Sequence, residues 1–289
     1  MAVIDAVSQG RRRQHELVRE PRRSPAQAVA HERRRRSGYA LLGIGVPLVL
    51  LTLWQVAAMA RWIDPVLYTP PIRIVQSAVG YLSTGELWTD IGATFTRIIV
   101  GFTIGAVSGI AVGALTGTSR VLRAALEPTL SALYVIPKLA LLPVFIVMVG
   151  LGDPPLLLIV TITVFFYMWI YTMEAFSGIA DGYLDAARSL NAGRLRTFTR
   201  VMFPAVLPQI FVAARVAITA AVLVIVASEM TVGNTGLGYV IFNSRALFLN
   251  DRMYVGILLV SIMGVVLALA ISRLGRVLTP WAKHGTFIK

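Results

Sequence analysis

The chain is 289 residues long, 56% of them hydrophobic and only 14% charged, with a mean hydropathy of +0.74. This composition excludes an ordinary soluble domain and places the chain among polytopic membrane proteins. The formal net charge of +13 does not point to nucleic acid, because the basic residues are sorted by membrane side, and the absence of cysteine excludes disulfides and thiolate metal sites.

In chain order, residues 1–38 come first. They carry Arg11, Arg12, Arg13, Arg22, Arg23 and Arg33 to Arg36 among Gln, Ser, Pro and Ala, with little to bury. They predict a basic, disordered tail, serving either attraction to anionic lipid or topology alone. A cleavable signal peptide is not expected, since the first long apolar run starts near Tyr39 and exceeds the usual length. A membrane span needs about 20 mostly apolar residues. Six segments qualify: Tyr39–Ala60, Ile91–Gly117, Leu130–Val149, Leu156–Phe176, Ile210–Met230 and Met253–Ile271. The expected organisation is the 1–38 tail, a first helix over 39–60, an extracytoplasmic segment over 61–90, a core over 91–276 and a tail over 277–289. Between Pro65 and Trp88, the residues Ile72, Val75, Val79 and Leu82 recur at helical spacing, which predicts a helix lying at the interface.

Lys and Arg number ten in 1–38, two in 118–129, four in 177–208 and four in 272–289, against two in 61–90, none in 150–155 and two in 231–252. By the positive-inside rule, both termini and the 182–208 segment are expected in the cytoplasm.

The second span carries Gly101, Gly105, Gly109, Gly113 and Gly117. A small residue at each turn lets a neighbouring helix approach to backbone contact. The drift of this ridge round the helix predicts a partner crossing at an angle. Packing inside one subunit is the simpler reading and a dimer seam the other.

The third segment is broken by Pro137 and Pro143 and followed by Gly150 and Gly152. Irregular backbone at membrane depth is tolerated only against protein or a water-filled cavity, so Pro137 and Lys138 are candidates for a translocation path. Alternatively, the Lys138 ammonium satisfies the carbonyl that Pro137 frees one turn earlier. A charge at membrane depth costs about 2.5–3.5 kcal/mol. Glu229 therefore either lines or gates a path, or pairs with a nearby Arg or reaches the interface. Gly236 and Gly238 lie in the turn that follows, an outer gate or an ordinary connection.

His15, His31 and His284 all lie outside the spans, and there is neither a phosphate-binding Gly-rich loop nor a metalloprotease helix. No catalytic residue and no metal site is expected.

The 182–208 segment is too polar for lipid and too patterned for a slack loop. Tyr183 to Leu190 predicts one short helix and Arg194 to Phe203 a second, with Asn191 and Gly193 as turn residues. Pro204 and Pro208 are expected to fix re-entry into the membrane. Ala186 and Ala187 leave a shallow surface for a partner, flanked by Arg188, Arg194 and Arg196, while Asp185 favours the N-terminal end of the helix through its dipole.

Asp185, Ala186 and Ala187 with Asn191, Pro204 and Pro208 resemble the Glu-Ala-Ala…Gly…Pro loop of permease subunits in bacterial binding-protein-dependent ABC importers. Thr96 to Phe102, Ile136 to Pro143, Gly150 to Gly152 and Glu229 with Gly236 to Tyr239 agree with the branch of aliphatic sulfonate, taurine and nitrate permeases. The likeness runs from Pro65 to Trp281. It implies an all-α membrane protein with the type I importer fold, six transmembrane helices and a cytoplasmic coupling helix. The implied ATPase-coupling residues are Tyr183, Asp185, Ala186, Ala187, Arg188, Asn191, Arg194, Pro204 and Pro208. Implied partners are cytoplasmic ATPase subunits, a periplasmic or lipid-anchored solute-binding protein and a second permease copy, in the bacterial inner membrane. ATP and Mg would be held by the ATPase, with no cofactor in this chain. Two residues depart from the pattern: Asp185 replaces Glu, and Asn191 replaces Gly. Asn is the next best residue for a left-handed turn, so the loop geometry is expected to survive. The rival class, an ion-coupled secondary transporter or channel, prefers two related halves, and no convincing internal repeat is present.

Overall fold

In a computed structural model, residues 25–282 are described, and the chain divides into two units, Met1–Ile63 and Asp64–Lys289. The first unit holds α1 (Pro25–Met59), apolar over Gly45–Met59. It begins inside the segment expected to lack structure. Pro25 is suited to a first helical position, and the Ala and Arg residues that follow are strong helix formers. Residues 1–24 and 283–289, the greater part of the two expected tails, lie outside the described residues.

The second unit is helical, with no strand among the described residues. Its helices are α2 (Pro71–Ser83), α3 (Glu86–Thr118), α4 (Arg120–Val135), α5 (Leu142–Val149) and α6 (Asp153–Ser177). They continue with α7 (Asp181–Ser189), α8 (Arg194–Thr197), α9 (Phe203–Val232), α10 (Leu237–Ala246) and α11 (Asn250–Leu278). By length and composition, four helices among the described residues can cross a membrane, or five if a bent pair counts as one span.

That bent pair is the third predicted span. Leu130–Val149 is not one helix: α4 and the Lys138–Val149 stretch meet at 89°. Pro137 forces the residue before it out of helical geometry, and Ile136 is accordingly extended at φ −60°, ψ 127°. A short 3₁₀ turn, Lys138–Leu141, then leads into α5.

The most enclosed helix is α6, whose Ile159, Val160, Val164, Met168 and Trp169 have no exposed surface. On one side it meets α9, where Ala213, Ala214, Ala217 and Ala221 are buried and keep the approach short. On the other it meets the glycine ridge of α3. An added Cβ would fall 2.7 Å from Val160 at Gly101 and 2.5 Å from the Thr161 carbonyl at Gly105. At Gly109 it would meet the Phe165 carbonyl at 2.6 Å, and at Gly117 the Phe176 Cβ at 2.6 Å. The ridge is thus spent within the subunit. The expected angled crossing is corrected in one respect: contact persists along the whole ridge. Val160, Val164, Met168, Thr172 and Phe176 also recur every fourth residue, so the two stripes drift together and the helices stay in register.

The helix expected between Pro65 and Trp88 is α2, and Trp88 belongs instead to α3. α2 packs on α3 and α11. Asp251, at the start of α11, accepts from Arg73 and from Thr69, each at 2.9 Å.

Small-residue packing drives helix association where lipid removes the hydrophobic incentive. Gly109→Leu is therefore expected to lower the melting temperature of the detergent-solubilised protein by several degrees. Gly92→Ala, on the same helix with nothing within 4 Å of an added Cβ, should leave it unchanged or slightly raised.

Candidate functional site

At one end of the second unit, a polar cluster joins α3, α6, α9 and the turn into α10. Glu229 is its centre, with a fully buried carboxylate. It accepts from Arg97 Nη1 at 2.7 Å, from the Thr94 hydroxyl at 2.9 and 3.0 Å, and from the Gly238 N–H at 3.0 Å. The Arg97 guanidinium also donates to Asp153, through Nε at 2.8 Å and Nη2 at 2.6 Å. Its last two bonds go to the carbonyl and the hydroxyl of Thr235, each at 2.9 Å. The two carboxylates are not equivalent. Asp153 is 63% exposed and its pairing is weakened by water, whereas Glu229 is sealed beside Arg97. Of the two expectations for Glu229, the arginine pairing is the arrangement present.

Gly236 and Gly238 belong to the same cluster. Gly236 has φ +109°, and an added Cβ would lie 2.5 Å from the Glu229 carboxylate. At Gly238 the Cβ would fall 2.4 Å from the Val226 carbonyl. The Gly236 N–H donates to Asp90 at 2.7 Å and the Leu237 N–H to Thr94 at 2.8 Å. The turn thus wraps its backbone round a buried carboxylate, and only glycine leaves room.

At the opposite end of α3 and α6 lies the 182–208 segment. α7 starts with Asp181 in its first turn and carries Arg188 in its last, both favourable to the helix dipole. It ends with Asn191 at φ +50°, the left-handed conformation expected for the residue in the glycine position. The Asn191 N–H donates to the Arg188 carbonyl at 2.9 Å and the Ala192 N–H to the Ala187 carbonyl at 3.0 Å. This pair of bonds is the Schellman closure, which satisfies the last carbonyls of the helix.

Tyr183, Asp185, Ala186, Arg188, Asn191 and Arg194 are exposed, with Asp185 and Arg188 paired at 3.0 Å. Ala187 departs from expectation: it is 4% exposed and faces inward, because helical geometry sets it about a hundred degrees from Ala186. The shallow outer surface therefore rests on Ala186, flanked by the exposed Tyr183 and Leu190.

A second correction concerns the helix expected over Arg194–Phe203, which does not end there. α8 passes through a π turn, Phe198–Met202, directly into α9, so that Arg194–Val232 is continuous. Pro204 sits in the first turn of α9 and Pro208 lies inside it. The Phe203 N–H reaches back five residues to the Phe198 carbonyl, and the widened turn accommodates a proline ring that an α-turn would crowd.

Lys138 lies at the break after Pro137. Its ammonium donates to the carbonyls of Ile136 at 2.9 Å, Leu133 at 3.5 Å and Tyr134. It also lies over the Tyr134 and Phe166 rings at 4.9 and 4.8 Å. The carbonyl that Pro137 deprives of its helical donor is that of Leu133, and it accepts from the Ile136 N–H at 3.3 Å as well as from Lys138.

Six contributors went unassigned in the sequence: Asp90, Thr94, Arg97, Asp153 and Thr235 in the Glu229 cluster, and Arg123. Arg123 donates to the carbonyls of Thr116 at 3.2 Å and Gly117 at 3.1 Å and to the Ser177 hydroxyl, closing the C-terminal ends of α3 and α6 together. A basic residue one turn after a predicted helix end is the signal that would have found it.

Apolar crossing helices, a broken helix carrying a half-buried lysine and a closed, exposed polar helix at one end define a multi-pass transport subunit. The family model described as "Binding-protein-dependent transport system inner membrane component" matches residues 101–284. The chain belongs to this family. It is 28% identical over 250 residues to the taurine transport system permease protein of Escherichia coli (strain K12), covering 84% of this chain and 90% of that one. It is 31% identical over 228 residues to the nitrate import permease protein of Leptolyngbya laminosa, covering 76% and 80%. The methionine ABC transporter MetNI, solved in an inward-facing conformation, matches with a TM-score of 0.55 at 22% identity, covering 69% of this chain and 97% of that chain. At that identity the likeness shows the fold alone.

The chain is accordingly the permease subunit of an ABC importer, a multi-pass protein of the inner membrane. It is not itself an enzyme. ATP and Mg belong to a separate ATPase subunit, and a solute-binding protein is the other implied partner.

Replacing Gly236 combines strain with collision, whereas Gly85 (φ +81°) has nothing within 4 Å of an added Cβ. Gly85→Ala is expected to cost about 1 kcal/mol of backbone strain. Gly236→Ala should cost clearly more, read as the larger fall in melting temperature of the purified protein.

Proposed function

We propose that this subunit, paired with a second copy of itself, forms the translocation path for a small anionic solute of the sulfonate, taurine or nitrate type. The solute arrives on a binding protein at the extracytoplasmic face, and both termini lie in the cytoplasm with the 182–208 segment. There, α7 seats on a cytoplasmic ATPase. Tyr183, Asp185, Ala186, Arg188, Asn191 and Arg194 form or border the seat. Ala187, Pro204 and Pro208 hold it from behind. At the other end, Pro137 and Lys138 border the path, while Glu229, Gly236 and Gly238 fix the turn at its outer mouth.

The single observation that carries this reading is the geometry of α7. It is a short helix closed by a left-handed Asn191, with a small residue outward at Ala186 and exposed Tyr183 and Leu190 beside it. A polar helix presenting apolar side chains outside the bilayer has a face for a protein partner. The excess of Lys and Arg in 177–208 over 150–155 and 231–252 supports a cytoplasmic position for that face. The names of the taurine and nitrate relatives support the solute class.

The reading is tested in proteoliposomes containing the permease, its ATPase and its binding protein. Uptake of taurine, ethanesulfonate or nitrate should require ATP and all three components. Ala186→Trp, at an exposed position, should reduce ATPase co-purification and uptake together while the permease keeps its melting temperature. Uptake by the chain alone, driven by an ion gradient, would overturn the proposal in favour of a secondary transporter.

A further inference from the structure

Lys138 stands on the wall of a cavity of about 490 Å³. Tyr134, Thr163 and Tyr167 line it together with Ala220, Leu223 and Val224. These residues come from the end of α4 and the middles of α6 and α9, so the cavity, which is open along the exposed Val135 and Leu223, lies level with the middles of these helices rather than with their ends.

Lys138 is half-buried, and the surroundings of its ammonium are unusual for a lysine among membrane-spanning helices. Three carbonyl oxygens and two aromatic faces hold it in place. Among the described residues it makes no ion pair. Carbonyl dipoles and ring quadrupoles orient a cation and offset part of its desolvation, but they leave its net charge standing. An uncompensated positive charge at membrane depth marks a route for something negative. The Tyr134 and Tyr167 rings meet edge to face at 6.2 Å. No hydrogen bond to either phenol oxygen is found among the described residues, which leaves two donors beside the charge. The Ala220, Leu223 and Val224 wall suits a short apolar tail.

We propose that this cavity is an anion subsite on the translocation path. Lys138 attracts the solute by charge, and the Tyr134 and Tyr167 hydroxyls donate to its oxyanion group. Because the ammonium protons are already directed at carbonyls, the attraction acts through space, which suits a site that must release what it receives. This inference rests on the anionic-solute reading above.

The test uses the complete importer in proteoliposomes, with taurine, ethanesulfonate and nitrate as probes. For whichever anion the native importer moves, Lys138→Met is expected to reduce uptake at least about tenfold, the scale of a lost interaction with a charged group. Lys138→Arg should restore most of it. Tyr134→Phe and Tyr167→Phe keep the rings and remove only the hydroxyls, so each should raise the concentration needed for half-maximal uptake while the complex still assembles. These two variants keep the test decisive if Lys138→Met fails to fold. Native-level uptake by Lys138→Met, or Phe variants with unchanged concentration dependence, would overturn the subsite and leave the solute class standing. A native importer that moves none of the three anions would overturn both.

Discussion

The buried pair between Arg97 and Glu229 fixes how the long helices of the second unit end. Two charges enclosed among apolar helices cost several kcal/mol each unless every donor and lone pair is met. Here they are met closely. All five N–H donors of the Arg97 guanidinium are directed at Asp153, Glu229 and Thr235. Glu229 takes Arg97, Thr94 and a backbone N–H from Gly238. One side chain from α3 thus reaches the start of α6, the end of α9 and the turn into α10 at once.

From that anchor, rigidity runs along the molecule. The glycine ridge keeps α3 against α6 for its full length, and Arg123 closes the far ends of both helices onto Ser177. Departures from regular helix fall outside this locked pair. They are the 89° break at Ile136–Pro137, the left-handed end of α7 and the π turn before α9. A rigid pair flanked by irregular elements is the arrangement a transport subunit needs. The Asn191 turn joins α7 to the continuous helix Arg194–Val232, whose middle lines the cavity beside Lys138.

Much of this was legible in the sequence because the bilayer restricts the options. Apolar length located four of the six expected crossings, with the third expected span a bent pair and the first apolar only over Gly45–Met59; the four-residue glycine spacing gave the close helix pair, and Asn191 in a glycine position gave its own left-handed backbone. Pro137 announced the break, and Lys138 its carbonyl partner. What escaped is what depends on tertiary distance. Arg97 and Glu229 lie more than a hundred residues apart, so their pairing could be framed only as a nearby arginine. Ala186 and Ala187 look alike in sequence, yet one faces out and the other in, because the face of a nine-residue helix is set by what it packs on. Pro204 and Pro208 read as breakers, and the π turn that lets the helix continue has no signature of its own.

The central claim, that the Arg97–Glu229 pair acts as one unit, is tested most directly by a double-mutant cycle on the unfolding of the purified permease. Arg97→Met is expected to destabilise by about 3–5 kcal/mol, since it leaves the Glu229 carboxylate buried without a counter-charge, and Glu229→Leu by less, since Arg97 keeps its pairing with Asp153. The double variant should be more stable than the sum of the two losses requires, with a coupling energy on the order of 2–3 kcal/mol. Losses that add to within about 0.5 kcal/mol, the behaviour of independent sites, would contradict it.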